Sequence, residues 1–242
     1  MTTTDSTDHW LSWPPGAREA TVRLALMPER AAFEPETRTL FVADVHLGKA
    51  AVFRARGLPV PQGTTTLTLA RLTQALARSQ ARHLVVLGDF LHARESHAPA
   101  TLAALAAWRQ RHPGLSCLVI EGNHDAHAGQ VQASYGIRTS TAAHVQAGLR
   151  GVHHPPEDHH AGTPSGALIL AGHVHPVVCL RGRTDHLRLP AFWLRHGVLT
   201  LPAFGEFTGG FEVRPSQHPD SQCFVVGEHS VTALPVSRRM SL

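Results

Sequence analysis

Short apolar runs that end in glycine and polar residues recur through the first half of the chain. In the clearest of them, four apolar residues at 84–87 lead into Gly88 and Asp89, and His92 follows three positions later. A short run rich in valine and leucine and bounded by glycine is typical of a central parallel strand covered on both faces. Such strands present functional side chains at their carboxyl ends. The pattern predicts a buried strand that presents Asp89 to a crevice, although an aspartate here is also a common cap of a following helix.

Strand and helix patterns alternate between residues 22 and 125. Apolar runs predict strands over residues 22–27, 38–43, 84–87 and 115–120. Helical spacing and terminal proline or glycine predict helices over residues 49–56, 64–79 and 98–110. Alternation of this kind indicates strand-helix-strand units and a parallel sheet.

After residue 127 the pattern changes to short apolar pieces separated by frequent glycine and proline. The pieces cover residues 148–153, 167–171, 192–194, 198–201 and 223–226. They predict a second, mixed sheet that packs on the first. Polar stretches at 155–164 and 215–221 predict surface loops.

The first 20 residues are rich in threonine, serine, aspartate and proline and show little apolar periodicity. This composition predicts a flexible N-terminal leader over residues 1–20. The chain has 242 residues, of which 43% are hydrophobic, and this is enough to bury one large core. We therefore expect a single domain over residues 21–242.

Composition and charge indicate which kinds of molecule this protein binds. No run approaches the roughly 18 apolar residues of a membrane span, and the polar start lacks the pattern of an export signal. We expect no membrane partner and a cytoplasmic location. The formal net charge is +4, and Lys49 is the only lysine among 22 lysine and arginine residues. This balance favours a polyanionic partner, because arginine is well shaped to bind phosphate oxygens.

Polar motifs follow the predicted strands in chain order. They are Asp44-Val45-His46, Gly88-Asp89 with His92, Gly122-Asn123-His124-Asp125, His153-His154 and Gly172-His173-Val174-His175. A single aspartate, asparagine or histidine at a strand end is usually a turn former or a surface residue. Five such motifs at successive strand ends favour a metal site instead. Oxygen and imidazole donors without cysteine suit manganese, iron or zinc.

The spacing of these residues indicates which side chains act together. In an extended Asp-x-His segment alternate side chains share a face, so we expect Asp44 and His46 to bind one ion together. The same spacing relates His173 and His175, but a tight loop there would direct them to two different ions.

The order of the motifs over residues 39–176 resembles that of the calcineurin-like metallophosphoesterase superfamily. The resemblance implies an α/β fold, namely the two-sheet αββα sandwich of that superfamily, with a dimetal site at the carboxyl-terminal ends of the strands. It implies that the ligands of one ion are Asp44, His46, Asp89 and His175, and that those of the other are Asp89, Asn123, His153 and His173. Asp89 would bridge the two ions. His154 is the alternative to His153, since a shift by one residue exchanges them.

A narrower resemblance covers most of the chain. It rests on residues 43–49, 53–57, 88–94 and 201–210, which read Ala-Asp-Val-His-Leu-Gly-Lys, Phe-Arg-Ala-Arg-Gly, Gly-Asp-Phe-Leu-His-Ala-Arg and Leu-Pro-Ala-Phe-Gly-Glu-Phe-Thr-Gly-Gly. These stretches resemble the bacterial ligase-associated DNA damage response endonucleases (PdeM family). The resemblance implies a DNA endonuclease of DNA repair, with DNA as substrate and DNA ligase- or helicase-associated repair proteins as partners.

The implied chemistry is two-metal hydrolysis of a phosphodiester. Two divalent ions about 3.5–4 Å apart, with manganese preferred and iron or zinc as alternatives, would polarise a phosphoryl oxygen and generate hydroxide at neutral pH. His124 matches the superfamily's non-ligand catalytic histidine and would protonate the leaving oxygen. His92 is expected to orient His124 or a neighbouring water, with a solvent-facing position at a helix start as the alternative.

Three arginines are candidates for substrate binding. Arg54, Arg56 and Arg94 are predicted near the mouth of the crevice, where they would bind backbone phosphates bidentately. The alternative is that they form a solvated helix face.

Two other functions are compatible with the same motifs. One is hydrolysis of a small nucleotide or another small phosphodiester in the same site. The other is a non-catalytic metal-binding scaffold, against which the presence of both His124 and Asp89 argues, because loss of turnover usually shows first at such residues.

Overall fold

Two β-sheets pack face to face, and α-helices cover the outer face of the first sheet. The computed structural model describes residues 6–16, 22–55, 57–58, 60, 63–129, 133–156, 166–182, 184–206 and 208–235. The α-helices in this part of the chain are α1 (Lys49–Ala55), α2 (Thr64–Ser79), α3 (Pro99–Arg111) and α4 (Asn123–Ala128). Short 3-10 helices cover Arg94–His97, Ala133–Tyr135 and Pro215–Gln217.

The first sheet contains seven strands in chain order, from β1 to β7. They are β1 (His9–Trp13), β2 (Val22–Met27), β3 (Ala31–Glu34), β4 (Thr39–Val42), β5 (His83–Leu87), β6 (Ser116–Ile120) and β7 (Ile137–Ser140). The strands β1 to β4 are antiparallel neighbours, whereas β4 to β7 are parallel. Because parallel strands point the same way, the carboxyl ends of β4, β5 and β6 meet at one edge.

The second sheet contains the remaining strands. They are β8 (His144–Gln146), β9 (Leu149–Gly151), β10 (Leu168–Ala171), β11 (Pro176–Arg181), β12 (His186–Arg195), β13 (Val198–Thr200), β14 (Phe211–Glu212), β15 (Ser221–Val226) and β16 (Val231–Ala233). The order is β14-β11-β12-β13-β10-β9-β8, and β15 pairs with β12 and β16. The strands β9, β10 and β13 are parallel, so the sheet is mixed.

Alternation along the central strands of the first sheet divides its side chains between two cores. In β4, Leu40 and Val42 face the helices, where Leu72 of α2 and Trp108 of α3 pack against the sheet. The intervening Phe41 belongs to the core between the two sheets. Successive side chains of a strand point to opposite faces, so a strand buried on both faces must be apolar throughout. This is why β4 and β5 read as unbroken apolar runs.

The core between the sheets is contributed by both. Phe41 and Val85 meet Leu170, Phe192 and other apolar residues of the second sheet, and all of these side chains are buried. Burial of each such side chain contributes roughly 1.5–3 kcal/mol to the stability of the fold. The sandwich therefore depends on contacts between residues that lie far apart in the sequence.

The α/β sandwich expected from the sequence is confirmed. The strands expected at 22–27 and 84–87 correspond to β2 and β5, and the helix expected at 64–79 is α2 with the same bounds. The strand β3 was not predicted, because its four residues are too few to show a clear alternation.

The expectation of a leader without structure is wrong for its central part. Residues His9–Trp13 form the edge strand β1, which pairs antiparallel with β2 from His9↔Leu26 to Trp13↔Val22. The strand is stabilised by backbone hydrogen bonds and by the buried Leu11, and neither requires a long apolar pattern. Apart from this strand, the predicted division into a leader over residues 1–20 and a single domain over residues 21–242 stays a prediction.

A loop of the second sheet, between β13 and β14, covers the Asp44-Val45-His46 motif. The amide of Phe204 donates to the carbonyl of Ala43 at 2.8 Å, and the amide of Gly205 donates to that of Asp44 at 3.1 Å. Arg71 of α2 donates to the Phe204 carbonyl and forms an ion pair with Glu206. These contacts connect the second sheet to the end of β4.

Among the helices described, none is long and apolar enough to cross a membrane.

Substitution of Phe192 tests the contribution of the core between the sheets. Phe192→Ala should lower the free energy of unfolding by about 3–5 kcal/mol, because it removes a fully buried aromatic side chain. Urea unfolding followed by circular dichroism measures this change. The control Leu67→Ala, at a helix position that is 58% exposed, should change the free energy by less than about 0.5 kcal/mol. A loss at Phe192 no larger than that of the control would contradict the assigned core.

Candidate metal centre

Each candidate ligand lies just beyond the end of a strand. Asp44 follows β4, Asp89 follows β5 and Asn123 follows β6 in the first sheet. His153 follows β9 and His173 follows β10 in the second sheet. The site therefore lies where the carboxyl-terminal edges of the two sheets meet.

Most of these residues have a left-handed backbone. The φ angles are 54° at Asp44, 47° at His46, 50° at Asp89, 68° at His173 and 54° at His175. Such angles are uncommon outside glycine and cost on the order of 1–3 kcal/mol each. The expectation that Asp44 and His46 share a face of an extended chain is therefore wrong. Their side chains nevertheless approach each other, because the chain turns at each of the two residues.

Hydrogen bonds between two loops support this strained backbone. After β4 and β5 the chain segments run side by side. The amide of Asp44 donates to the Gly88 carbonyl at 3.2 Å, and that of His46 donates to the Asp89 carbonyl at 2.8 Å. Because each loop satisfies polar groups of the other, neither can relax without breaking these bonds.

Two glycines allow the ligands to come close to the backbone. A Cβ atom on Gly88, which has a φ of 80°, would lie 2.0 Å from Nδ1 of His153. A Cβ atom on Gly122 would lie 2.3 Å from Oδ1 of Asp89. Any side chain at these positions would displace a candidate ligand, so both sites require glycine.

A first cluster consists of Asp44, His46 and His175. One donor atom from each lies within 4.8 Å of the others, and Nε2 of His175 is 3.4 Å from Oδ1 of Asp44. Oδ1 of Asp44, Nε2 of His46 and Nε2 of His175 are buried and form no hydrogen bond. Buried polar atoms almost always have a partner. These three atoms carry lone pairs and lie close together without a hydrogen-bond partner, which is the arrangement expected of ligands to a cation.

A second cluster contains Asp89, Asn123, His153 and His173. Oδ1 of Asn123 is 3.0 Å from Nε2 of His153 and 3.1 Å from Nδ1 of His173. Nε2 of His153 is also 3.6 Å from Oδ1 of Asp89. Asp44 and Asp89 group with His153 as a further set of donors within 4.8 Å. The two clusters are therefore adjacent, and the two carboxylates lie between them.

Backbone carbonyls determine which ring nitrogen of two histidines faces the centre. Nδ1 of His153 is 2.9 Å from the carbonyl oxygen of Leu87, and Nδ1 of His175 is 3.2 Å from that of Gly209. A carbonyl oxygen only accepts, so Nδ1 carries the hydrogen in each ring. The neutral rings then present the Nε2 lone pair to the centre, as metal-binding histidines do.

The electrostatics of His46 also suit a ligand. Burial, followed by the nearby Lys49 ammonium, lowers the pKa of His46 far below its usual range. Nδ1 of His46 is 3.2 Å from Nδ1 of His92, so one of these nitrogens carries the hydrogen. If it is that of His46, the unpaired Nε2 is free to bind a cation. Burial also lowers the pKa of His173.

The structure distinguishes His153 from its neighbour. His153 is 3% exposed, and its ring nitrogens lie within 4 Å of Asp44 and Asp89. His154 is exposed, although it comes within 4.8 Å of His153 and His173. No ion pair in the described residues involves His154. The geometry therefore favours His153 as the ligand.

His124 lies beside the carboxylates but faces the solvent. Its amide donates to Oδ1 of Asp89 at 2.9 Å, and its Nε2 is 4.0 Å from Oδ2 of the same residue. Its Nδ1 donates to the backbone carbonyl of His92 at 2.8 Å, and the side chain is 38% exposed. The rings of His92 and His124 stack with centroids 4.7 Å apart. His92 thus contacts His124 through its carbonyl and its ring face, as expected of a residue that orients it, whereas its Nδ1 faces His46.

Asp125 is a positioning residue that sequence reasoning did not identify. Its carboxylate accepts hydrogen bonds from the amides of Leu91 and Gly122, each at 3.0 Å. It therefore ties the loop after β5 to the start of α4. Burial raises the pKa of this carboxyl group. The only signal in the sequence was its place at the end of the Gly-Asn-His-Asp motif.

The candidate substrate arginines lie outside the two clusters. Arg54 is exposed in the last turn of α1, and Arg94 is exposed at the start of the 3-10 helix Arg94–His97. These two elements contact each other. Arg56 lies outside the described residues.

Comparisons with known proteins identify the family of this chain. Residues 37–196 match the family model described as calcineurin-like phosphoesterase. The solved structure of the Pseudomonas putida nuclease MPE is 40% identical, with a TM-score of 0.77, over 94% of this chain and 100% of that one. The phosphoesterase Yfce from E. coli is 15% identical, with a TM-score of 0.40, over 82% of this chain and 99% of that one, which is too remote to support an argument. No curated protein sequence matches the chain.

Removal of the central carboxylate tests the proposed ligand set. Asp89→Asn should lower the content of divalent metal, measured by mass spectrometry after dialysis, from about two equivalents to one or none, because Asp89 is expected to bind both ions. The control His124→Ala should keep both equivalents, since His124 is not expected to be a ligand. Loss of metal from His124→Ala would mean that a ligand has been mistaken for a proton donor.

Proposed function

The chain belongs to the calcineurin-like phosphoesterase family, and from this premise we propose that it is a divalent-metal-dependent nuclease that cleaves phosphodiester bonds of DNA. Family membership makes it a hydrolase of phosphoester bonds that uses divalent metal ions. The identity of the substrate and of the metal is the proposed part.

The main support for the proposal is the set of unpaired donor atoms in the first cluster. Oδ1 of Asp44, Nε2 of His46 and Nε2 of His175 are buried and converge without a hydrogen-bond partner. A bound cation would give all three atoms a partner. We assign one ion to Asp44, His46, Asp89 and His175, and a second to Asp89, Asn123, His153 and His173.

The donor set also bears on the identity of the metal. Carboxylate, amide and imidazole ligands without cysteine favour manganese, with iron or zinc as alternatives. Bound there, two divalent ions would supply Lewis acidity at the phosphoryl group and at the attacking water. The buried carboxylates of Asp44 and Asp89 would balance part of the charge of the ions.

His124 is proposed to be the general acid. In hydrolysis, water attacks phosphorus while the bond to the leaving oxygen breaks, and that oxygen must gain a proton. The His92 carbonyl accepts from Nδ1 of His124, so a protonated ring presents its Nε2–H on the side of the centre, where Nε2 is 4.0 Å from Oδ2 of Asp89. Proton donation from a well-placed histidine is worth roughly 10²–10⁴-fold in rate.

Two further observations support a nucleic acid as the substrate. The chain is basic, with a net charge of +4 and almost all of its cations present as arginine. The nuclease from Pseudomonas putida aligns over its whole length with 94% of this chain. By resemblance, we propose a role in DNA repair beside DNA ligase- or helicase-associated proteins.

A small phosphodiester is the second candidate substrate, because the same site would hydrolyse either. The two candidates differ in the number of phosphates that the protein contacts. Each phosphate contact with a nucleic acid releases counterions and lowers log K by about 0.7–0.9 per unit of log salt. A small diester has too few charges to give a steep slope.

Salt dependence therefore separates the two substrates. The double variant Arg54→Ala with Arg56→Ala should weaken binding of DNA and flatten the slope by about 1–2. Hydrolysis of a small chromogenic diester with Mn²⁺ should stay within about twofold, because the metal ligands are unchanged. Fluorescence anisotropy at several salt concentrations measures the first effect, and absorbance measures the second.

A matched control is available at the opposite edge of the first sheet. Arg82 and Arg111 are exposed and precede β5 and β6, so they lie near the amino ends of those strands. Arg82→Ala with Arg111→Ala removes the same charge and should leave the salt slope unchanged. If the Arg54 and Arg56 variant lost activity on the small diester as severely as on DNA, the proposal of DNA binding at these arginines would fail.

A further inference from the structure

Lys49 occupies an unusual position in the chain. It is the only lysine among 22 lysine and arginine residues. It is also the first residue of α1, where the partial positive charge of the helix disfavours a cation. Helix formation therefore does not explain why a lysine occupies this position.

The side chain of Lys49 is half-buried close to the candidate metal centre. Burial lowers the pKa of its ammonium, and the nearby carboxylates of Asp89 and Asp44 raise it again. Its Nζ lies 6.0 Å from the centroid of the Phe53 ring. Among the described residues, no ion pair or hydrogen bond involves Nζ. Its three N–H donors are therefore available to a ligand.

Ring contacts connect Lys49, through Phe53 and His92, to His124. The ring of Phe53 is 6.1 Å from that of His92, which in turn stacks on His124 at 4.7 Å. These contacts lead from the ammonium to the proposed proton donor. Lys49 and His124 are also both neighbours of His46, because the amide of Lys49 donates to the His46 carbonyl at 3.2 Å and the rings of His46 and His124 are 5.0 Å apart. A phosphate bound beside His124 would therefore lie on the side of the site that carries Lys49.

We propose that Lys49 forms a phosphate-binding subsite, in which its ammonium donates hydrogen bonds to a non-bridging oxygen of the scissile phosphate. The inference rests on the proposed function and specifies how its site holds the substrate. Two divalent ions would exceed the two carboxylates in charge, so an anion bound beside the ions would further stabilise the ammonium. Lysine suits this place because its ammonium is a compact point charge, whereas arginine carries a wide planar fork.

The single lysine makes the subsite directly observable. Lys49 is the one side-chain amine of the sequence, so peptide mass spectrometry can follow its acetylation separately from that of the N-terminal amine. In the Mn²⁺-loaded protein, saturating inorganic phosphate should slow acetylation of Lys49 several-fold and leave the N-terminal amine unchanged. Equal rates of Lys49 acetylation with and without phosphate would overturn the proposal.

Substitution provides a second measurement. Lys49→Met keeps the length of the side chain and removes its charge, and it should raise the Kd for inorganic phosphate about 10- to 100-fold. Lys49→Arg should give a smaller increase. Metal content should remain at the value of the unsubstituted protein in both variants. Isothermal titration with phosphate and metal analysis provide these values.

The outcomes distinguish this subsite from other roles of Lys49. Loss of metal from Lys49→Met would overturn the proposal, because Lys49 would then serve to balance the charge of the carboxylates. If Lys49→Met does not fold, the phosphate affinity of Lys49→Arg and the acetylation experiment still test whether Lys49 binds phosphate. An unsubstituted protein that cleaves neither DNA nor a small diester would reject the proposed function itself. An active protein with unchanged phosphate affinity in Lys49→Met would reject only the subsite.

Discussion

The pairing of the loops after β4 and β5 is the constraint on which the candidate centre depends. Asp44, His46 and Asp89 all have left-handed backbones, which isolated chain segments would rarely adopt. Hydrogen bonds between the two loops stabilise these backbone angles. In addition, the buried carboxylate of Asp125 accepts a hydrogen bond from the amide of Leu91 in the second loop. The energy that maintains this strain comes from the sheet sandwich around it, as at many functional sites.

The centre is also divided between the two sheets. Asp44, Asp89 and Asn123 belong to the first, whereas His153 and His173 belong to the second. Neither sheet alone assembles either proposed ligand set. The apolar core between the sheets and the loop that closes over Asp44 therefore position the ligands as well as stabilise the fold. Stability and metal affinity should be coupled in this protein for that reason.

Backbone carbonyls orient three histidine rings of the site. The carbonyls of Leu87 and Gly209 hold His153 and His175, and that of His92 holds His124. These carbonyl groups remain whichever side chains the residues carry. The side chain of Leu87 packs in the core, whereas its carbonyl orients a candidate ligand. A single residue thus serves the fold through its side chain and the site through its backbone.

The sequence by itself determined the strands β2 and β5, the helix α2, and the order of motifs that supply Asp44, Asp89, Asn123 and His173. These follow from apolar periodicity and from residue type, which are local properties of the chain. The strand β1, the left-handed turns and the hydrogen bonds of Asp125 were decided only by the tertiary structure. Each of them depends on partners far along the chain, such as the Gly88 carbonyl that accepts from Asp44. Hydrogen bonds of this kind leave no pattern in the sequence around either partner.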